Sequence, residues 1–157
     1  MSRVVVSIRS ATPQEAQRIH ELHLSAVRAQ CAQHYSPEIV EGWLENRSAQ
    51  GYLRGIASGA IFVAEFESQI VGFGEGAPGE VVAVFVDPAF LNRGIGSALL
   101  QHALRLAREQ HQGSVRLEST LNAVGFYERF GFTQRNRSVV RRNRVEVPIV
   151  VMERHAG

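Results

Sequence analysis

The stretch Val84-Phe85-Val86-Asp87-Pro88-Ala89-Phe90-Leu91-Asn92-Arg93-Gly94-Ile95-Gly96-Ser97-Ala98-Leu99-Leu100 decides how the rest of the 157-residue chain is read. An apolar run stopped by Asp87-Pro88 has the form of a buried strand. The recurrence of Ile95, Ala98, Leu99, Ala103, Leu106 and Ala107 predicts a long helix starting near Gly94. The first four NH groups of a helix lack internal partners and lie at the positive end of its dipole, and glycine lets an anion approach the backbone. Two glycines and a serine in that first turn therefore gather donors at Arg93, Gly94, Gly96 and Ser97 for a phosphate or pyrophosphate. A lone Gly-x-Gly serves equally well as a tight turn. The segment is not a Walker loop, which ends in Gly-Lys-Ser/Thr, nor a dinucleotide fingerprint, which needs a third spaced glycine. Gly72, Gly74 and Gly76 also miss that fingerprint and suggest a bulge or strand end.

Upstream of this segment, three strand-like runs (60–66, 69–74 and 80–86) are separated by Glu67-Ser68 and Ala77-Pro78-Gly79, the pattern of an antiparallel meander. Before them, residues 3–9 alternate like an outer strand. Thr12-Pro13-Gln14-Glu15 is a capping box opening a helix to about residue 30, and Ser36-Pro37-Glu38 opens a second carrying Ile39, Val40, Trp43 and Leu44. Residues 51–59, with three glycines, have the composition of an exit loop. Downstream, 115–118 is a short strand, Asn122 is placed to cap a last helix ended by Gly131, and 132–140 with 145–153 form a closing hairpin. The order is β-α-α-β-β-β-α-β-α-β-β. It predicts one α/β (α+β) domain over residues 1–157: a mixed, mostly antiparallel sheet flanked by helices, with strands 4 and 5 parallel across a helical crossover.

Composition sets the wider bounds. Hydrophobic residues make up 45% and charged residues 20%, ordinary values for a packed domain, and the net charge is +2. A single cysteine, Cys31, excludes an internal disulfide, and the N-terminus lacks a signal-peptide pattern, so a cytoplasmic setting is expected. No run approaches the roughly 18 apolar residues of a membrane span. All positive side chains but histidine are arginine, concentrated at Arg135 to Arg144; without interleaved aromatics for base stacking, this argues against nucleic acid. Its arginines are expected to form a solvated edge face or to attract an anionic acceptor or cofactor phosphates. Cys31, His20, His23 and His34 show neither metal spacing nor a nucleophile pattern, so no metal site is expected.

A second segment, Ser119-Thr120-Leu121-Asn122-Ala123-Val124-Gly125-Phe126-Tyr127-Glu128-Arg129-Phe130-Gly131-Phe132, completes the picture. Val86-Asp87-Pro88 followed by Arg93-Gly94-Ile95-Gly96, and then Asn122-Ala123 with Phe126-Tyr127 and Gly131-Phe132, resembles the GNAT superfamily of N-acetyltransferases over nearly the whole chain. Leu91 departs from the pattern, standing where the family usually has glutamine or arginine.

The resemblance implies acetyl-CoA as co-substrate and a primary amine, small molecule or peptide, as acceptor. It implies that strands 4 and 5 splay to admit pantetheine against Val84 and Val86, with the NH near Phe85 or Val86 polarising the thioester carbonyl. Asn92, Arg93, Gly94, Ile95, Gly96 and Ser97 would hold the pyrophosphate, while Asn122 and Arg129 would also reach the cofactor, although Arg129 also suits solvated surface. Tyr127 matches the family's general acid. On unshifted values, full proton transfer from tyrosine to a thiolate is uphill by roughly 2 kcal/mol, so a hydrogen-bond donor is expected. Glu80 falls where the histone-acetylating branch carries its glutamate base, with Glu75 as neighbouring alternative and a solvated strand-end charge as the plain reading. Trp43 and Tyr35 are core residues or acceptor-pocket residues. A homodimer is left open, and the alternative to catalysis is a CoA-binding regulatory or interaction module.

Overall fold

The computed structural model describes residues 4–155. Seven strands, β1 (Ser7–Ser10), β2 (Ile61–Phe66), β3 (Gln69–Ala77), β4 (Glu80–Val86), β5 (Val115–Ser119), β6 (Thr133–Arg142) and β7 (Val145–Arg154), form one sheet in the order β1-β2-β3-β4-β5-β7-β6. Every pair is antiparallel except β4 with β5. The helices are α1 (Ala16–Cys31), α2 (Pro37–Leu44), α3 (Leu53–Ala57), α4 (Ile95–Arg108) and α5 (Val124–Glu128).

The two-residue period of the strands sorts the helices onto opposite faces. Phe62 and Ala64 of β2 pack with Leu99, Leu100, Ala103 and Ala107 of α4, whereas Ile61 and Val63 pack with Ile19 and Leu22 of α1. A third cluster joins Val27 and Cys31 of α1 and Val40, Trp43 and Leu44 of α2 to Val145, Val147 and Ile149 of β7. Beneath α4, β3 carries Gly72 and Gly76 because the helix leaves no room for side chains there. A Cβ at Gly72 would meet Leu99 Cδ1 at 2.8 Å, and one at Gly76 would meet the Ala103 carbonyl oxygen at 3.0 Å. The register does slip, between Glu75 and Gly76, so a bulge coincides with this glycine run.

Local departures from the sequence expectation have clear causes. Val4 to Val6 do not join β1; the Val4 NH instead donates to the Arg93 carbonyl oxygen at 3.2 Å, and Arg3 lies outside the described residues. The expected exit loop at 51–59 is largely helical, a 3-10 turn (Ala49–Tyr52) running into α3, because Tyr52 and Ile56, one helical turn apart, both bury against the sheet. Gly55 sits inside that helix because a Cβ there would lie 2.6 Å from Ile61 Cδ1. Asn122 is not a cap: Thr120 precedes a 3-10 turn (Leu121–Ala123) containing it, and its side-chain oxygen accepts a hydrogen bond from Cys31 Sγ at 3.4 Å. Gly131 does take the left-handed conformation expected after the last helix, with φ of 89°.

Between β4 and β5 the ladder is nearly absent. Glu80 and Arg116 are the one paired position, supported by a bond from the Arg116 NH to the Gly79 carbonyl oxygen at 2.9 Å. Beyond it the parallel strands separate toward their C-terminal ends.

The packing of β3 is directly testable. A Cβ at Gly74 would lie 2.6 Å from Cζ of fully buried Phe62 and 3.0 Å from the Ala83 carbonyl oxygen. Gly74→Ala should therefore cost about 1–3 kcal/mol by overpacking, read as a lower urea midpoint at unchanged slope.

Candidate active site

The splay leaves backbone groups free on β4. The Asp87 NH donates to the Val71 carbonyl oxygen at 2.9 Å, and the register places Phe85 opposite Phe73 and Val86 opposite Gly72. Alternation along an antiparallel pair then turns the Phe85 peptide groups toward β3 and those of Val84 and Val86 toward the gap. The Val86 carbonyl oxygen is taken up there by Gln30 Nε2 of α1 at 2.9 Å. The Val86 NH and both backbone groups of Val84 face the opening.

On one side of the gap lies a cleft of about 720 Å³ bounded by Gln30, Val84, Val86, the loop Phe90 to Asn92, the start of α4 and residues from Asn122 to Phe130. The loop enters α4 through Asn92 (φ 61°) and Gly94 (φ 86°), both left-handed, which glycine adopts without strain and asparagine tolerates. The first bond of the helix runs from the Ala98 NH to the Gly94 carbonyl oxygen, so the NH groups of Ile95, Gly96 and Ser97 have no intrahelical partner. A Cβ at Gly96 would project between Phe126 at 3.5 Å and Val86 Cγ2 at 3.7 Å, occupying the cradle without a clash. The backbone donors and the missing side chain thus suit a pyrophosphate. The Arg93 side chain does not line the cleft: its Cζ lies 5.4 Å from the Phe90 ring centroid, with Nε buried and unpartnered. Asn122 and Arg129 do line it, the latter's guanidinium 6.0 Å from the Phe126 ring centroid.

Tyr127 is buried on α5 yet contributes to the cleft wall, where its ring packs edge-on against Phe126 and Phe132. Burial pushes its pKa well above the ordinary tyrosine value, so the hydroxyl is a neutral donor throughout the physiological range.

On the other side of β4 is a second cavity of about 680 Å³. Phe85 turns its side chain into this one, stacked 5.7 Å from Phe73 and capped by the His23 ring at 4.5 Å. His23 Nδ1 pairs with the Tyr52 hydroxyl at 2.8 Å; burial first, then the nearby Arg47 and His20, push its pKa down to about 3, so the ring is neutral. Both glutamates weighed from the sequence border this cavity. Glu80 sits at its outer end, 4.0 Å from Arg116. Glu75, opposite Ala83 and three residues nearer the open end of the splay, makes no ion pair among the described residues, and its burial, with Glu80 close by, raises its pKa. Trp43 lines the cavity. Tyr35 instead acts as a brace, its hydroxyl donating to the Pro148 carbonyl oxygen at 2.5 Å and accepting from the Leu121 NH at 3.0 Å.

A sequence model described as an acetyltransferase (GNAT) domain matches residues 31–153. The chain belongs to the GNAT family of N-acetyltransferases. Among curated proteins it is 28% identical over 141 residues to the uncharacterized N-acetyltransferase YafP of Escherichia coli, covering 90% of this chain and 87% of that one. Its backbone is similar to a GCN5-related N-acetyltransferase from Rhodopseudomonas palustris (TM-score 0.85, 20% identity, 99% of each chain). It is also similar to the PaiA N-acetyltransferase of Thermoplasma acidophilum in complex with coenzyme A (TM-score 0.77, 20% identity, 98% and 100% of the two chains). GNAT proteins use acetyl-CoA, and the expected mixed sheet with parallel strands 4 and 5 is the fold observed. No helix among the described residues is long and apolar enough to cross a membrane.

Two features of the site escaped the sequence. Gln30 lies mid-pattern on an ordinary amphipathic helix, and nothing in that helix indicates contact with a strand 56 positions away. Arg142 was visible only as one of a cluster, yet it borders the second cavity, whereas Arg135 is tied to Glu153 (2.8 Å) and Arg144 to Glu45 (3.1 Å).

The raised pKa of Glu75 makes its ionisation a cost to folding. Between the unfolded and the higher folded pKa the native state holds more protons, so stability falls as pH rises through that window. Glu75→Gln should be more stable than the parent at neutral and alkaline pH, and the gain should vanish below about pH 4, where both states are protonated. Thermal melts across that range check the sign.

Proposed function

We propose that the protein transfers an acetyl group from acetyl-CoA directly to a primary amine, with the cofactor in the cleft at the start of α4 and the acceptor in the cavity behind Phe85. What carries this is the splay of β4 from β5, which leaves free backbone groups of Val84 and Val86 between two separate cavities. Acetyl-CoA supplies an electrophilic thioester, whose carbonyl carbon bonds the amine nitrogen while its carbon–sulfur bond breaks and the thiol leaves. The chain's own groups provide position and charge stabilisation.

The NH groups of Ile95, Gly96 and Ser97 hold the pyrophosphate, and Val84 pairs with the pantetheine amides. The Val86 NH, rather than that of Phe85, points at the thioester carbonyl, because Phe85 turns its peptide groups to β3. Tyr127 hydrogen-bonds the departing sulfur. Its raised pKa opposes complete proton transfer and favours a donor that stays a donor. Glu75 is the better placed of the two carboxylates to take the amine's proton, directly or through water. It lies nearer the open end of the splay and makes no ion pair among the described residues, while Glu80 stands beside Arg116 where β4 and β5 pair. Leu91 packs against the apolar core, so recognition at that position rests on the backbone.

Three outcomes test the assignment. Gly96→Val should abolish acetyl-CoA binding in a folded protein, seen by calorimetry, because the added side chain fills the cradle. Tyr127→Phe should lower kcat by about 10²-fold or more with little change in acetyl-CoA affinity. The rate of thiol release should rise with pH as Glu75 ionises, along a limb displaced to higher pH than an ordinary carboxylate. Glu75→Gln should remove that limb and Glu80→Gln should keep it. Tight acetyl-CoA binding with no thiol release toward any amine would instead favour the regulatory module.

A further inference from the structure

The charges around the second cavity do not balance for a simple amine. Its border carries Glu75, Glu80 and Glu118 against Arg47, Arg54 and Arg142. Arg116, outside the border, lies 4.0 Å from Glu80 and 3.1 Å from Glu118 and shares its one positive charge between these two. None of the ion pairs among the described residues involves Arg47, Arg54, Arg142 or Glu75. Four arginines, Arg116 included, thus face three glutamates, a net positive balance. Arg54 and Arg142 are exposed, and water screens them, but Arg47 is half-buried with its Nε enclosed and unpartnered. It is near enough to affect both His23 and Tyr52, and the Tyr52 hydroxyl, kept neutral by burial, offers it a hydrogen-bond acceptor but no negative charge. Buried charges are normally paired, and a guanidinium fork fits a carboxylate in a bidentate manner. The remaining walls, Trp43, Tyr52, Phe73 and Phe85, are apolar and aromatic.

Resting on the acetyl-transfer reading above, we propose that the acceptor is an amine that also bears a carboxylate: an amino acid or short peptide with an apolar body, its carboxylate on Arg47 and its ammonium toward Glu75. A plain alkylammonium would leave Arg47 uncompensated and meet net repulsion from the three arginines. A zwitterion satisfies both lone charges at once, and the aromatic walls take its side chain. Arg142 and Arg54, at the exposed border, draw the acidic end inward in a salt-dependent way. The ammonium then gives one proton to Glu75, the nitrogen bonds the acetyl carbon as the carbon–sulfur bond breaks, and the second proton lost by the nitrogen goes to the sulfur, which leaves as the thiol.

The test compares matched amines that differ only in the carboxylate: L-phenylalanine with 2-phenylethylamine, and L-leucine with 3-methylbutylamine. Binding of each to the protein–coenzyme A complex is measured by calorimetry, and thiol release from acetyl-CoA is followed separately. The acid-bearing member of each pair should bind at least about tenfold more tightly, the scale of a charge-assisted pair. Arg47→Gln should erase that preference, and Arg47→Lys, which keeps the charge but loses the fork, should fall between. Acetyl-CoA affinity reports whether each variant is folded. Equal binding within the pairs, a preference for the carboxylate-free member, or no binding of either at millimolar concentration would overturn the proposal; thiol release with those same amines would still leave the acetyl-transfer reading standing. A carboxylate preference without any thiol release would support carboxylate binding at Arg47 but overturn both the transfer and the role of that ligand as acceptor.

Discussion

A sheet strand inside a core has to satisfy its amide and carbonyl groups, and the structure turns on the one place where it does not. After Glu80 and Arg116, β4 and β5 stop pairing, and the gap is stabilised from outside rather than closed. Gln30 takes one exposed carbonyl oxygen, α4 begins beside another part of the gap, and residues from Asn122 to Phe130 form its far wall. Unpaired backbone in an apolar setting costs on the order of 1–3 kcal/mol per group. The remaining groups, on Val84 and Val86, keep their donor and acceptor directions without a partner in the sheet.

The rest of the fold keeps that gap in place. Beneath α4, Gly72 and Gly76 of β3 let the helix lie against the sheet, which fixes where its first turn presents its NH groups relative to Val86. On the opposite face, α1 buries Ile19, Leu22 and Val27 and carries Gln30 to the end of β4. The Tyr35 hydroxyl joins the Pro148 carbonyl oxygen of β7 to the Leu121 NH, so the wall of the second cavity and the segment leading to Tyr127 share one brace.

Most of the architecture was legible because it rests on local signals. The Asp87-Pro88 stop, the glycines at the start of α4 and the strand-like runs of β2 and β4 each have a short-range physical meaning, and the structure contains all of them. Legibility failed where a distant contact overrides local composition. Three glycines made residues 51–59 look like loop, but the burial of Tyr52 and Ile56 winds that segment into helix. Asn122 looked like a cap because asparagine commonly is one; the course of the chain from Thr120 places it beside Cys31 instead. In the site, the backbone cradle could be read from the sequence, since glycine and helix polarity are local. The choice of Val86 over Phe85 as the donor facing the gap needed the register, and the isolation of Glu75 needed the whole arrangement of surrounding charges.

Cys31 packs between α1, α2 and β7, and burial pushes its thiol up to about 11. It is the only sulfhydryl of the chain. Thiolates, not thiols, react with electrophiles and disulfides, so in the folded protein this sulfur is both enclosed and protonated at neutral pH. A chromogenic disulfide added to a working reaction would therefore encounter one reactive population, the free coenzyme A liberated by turnover. With acetyl-CoA left out, so that no thioester can hydrolyse, any slow signal would report opening of the α1–α2 layer instead.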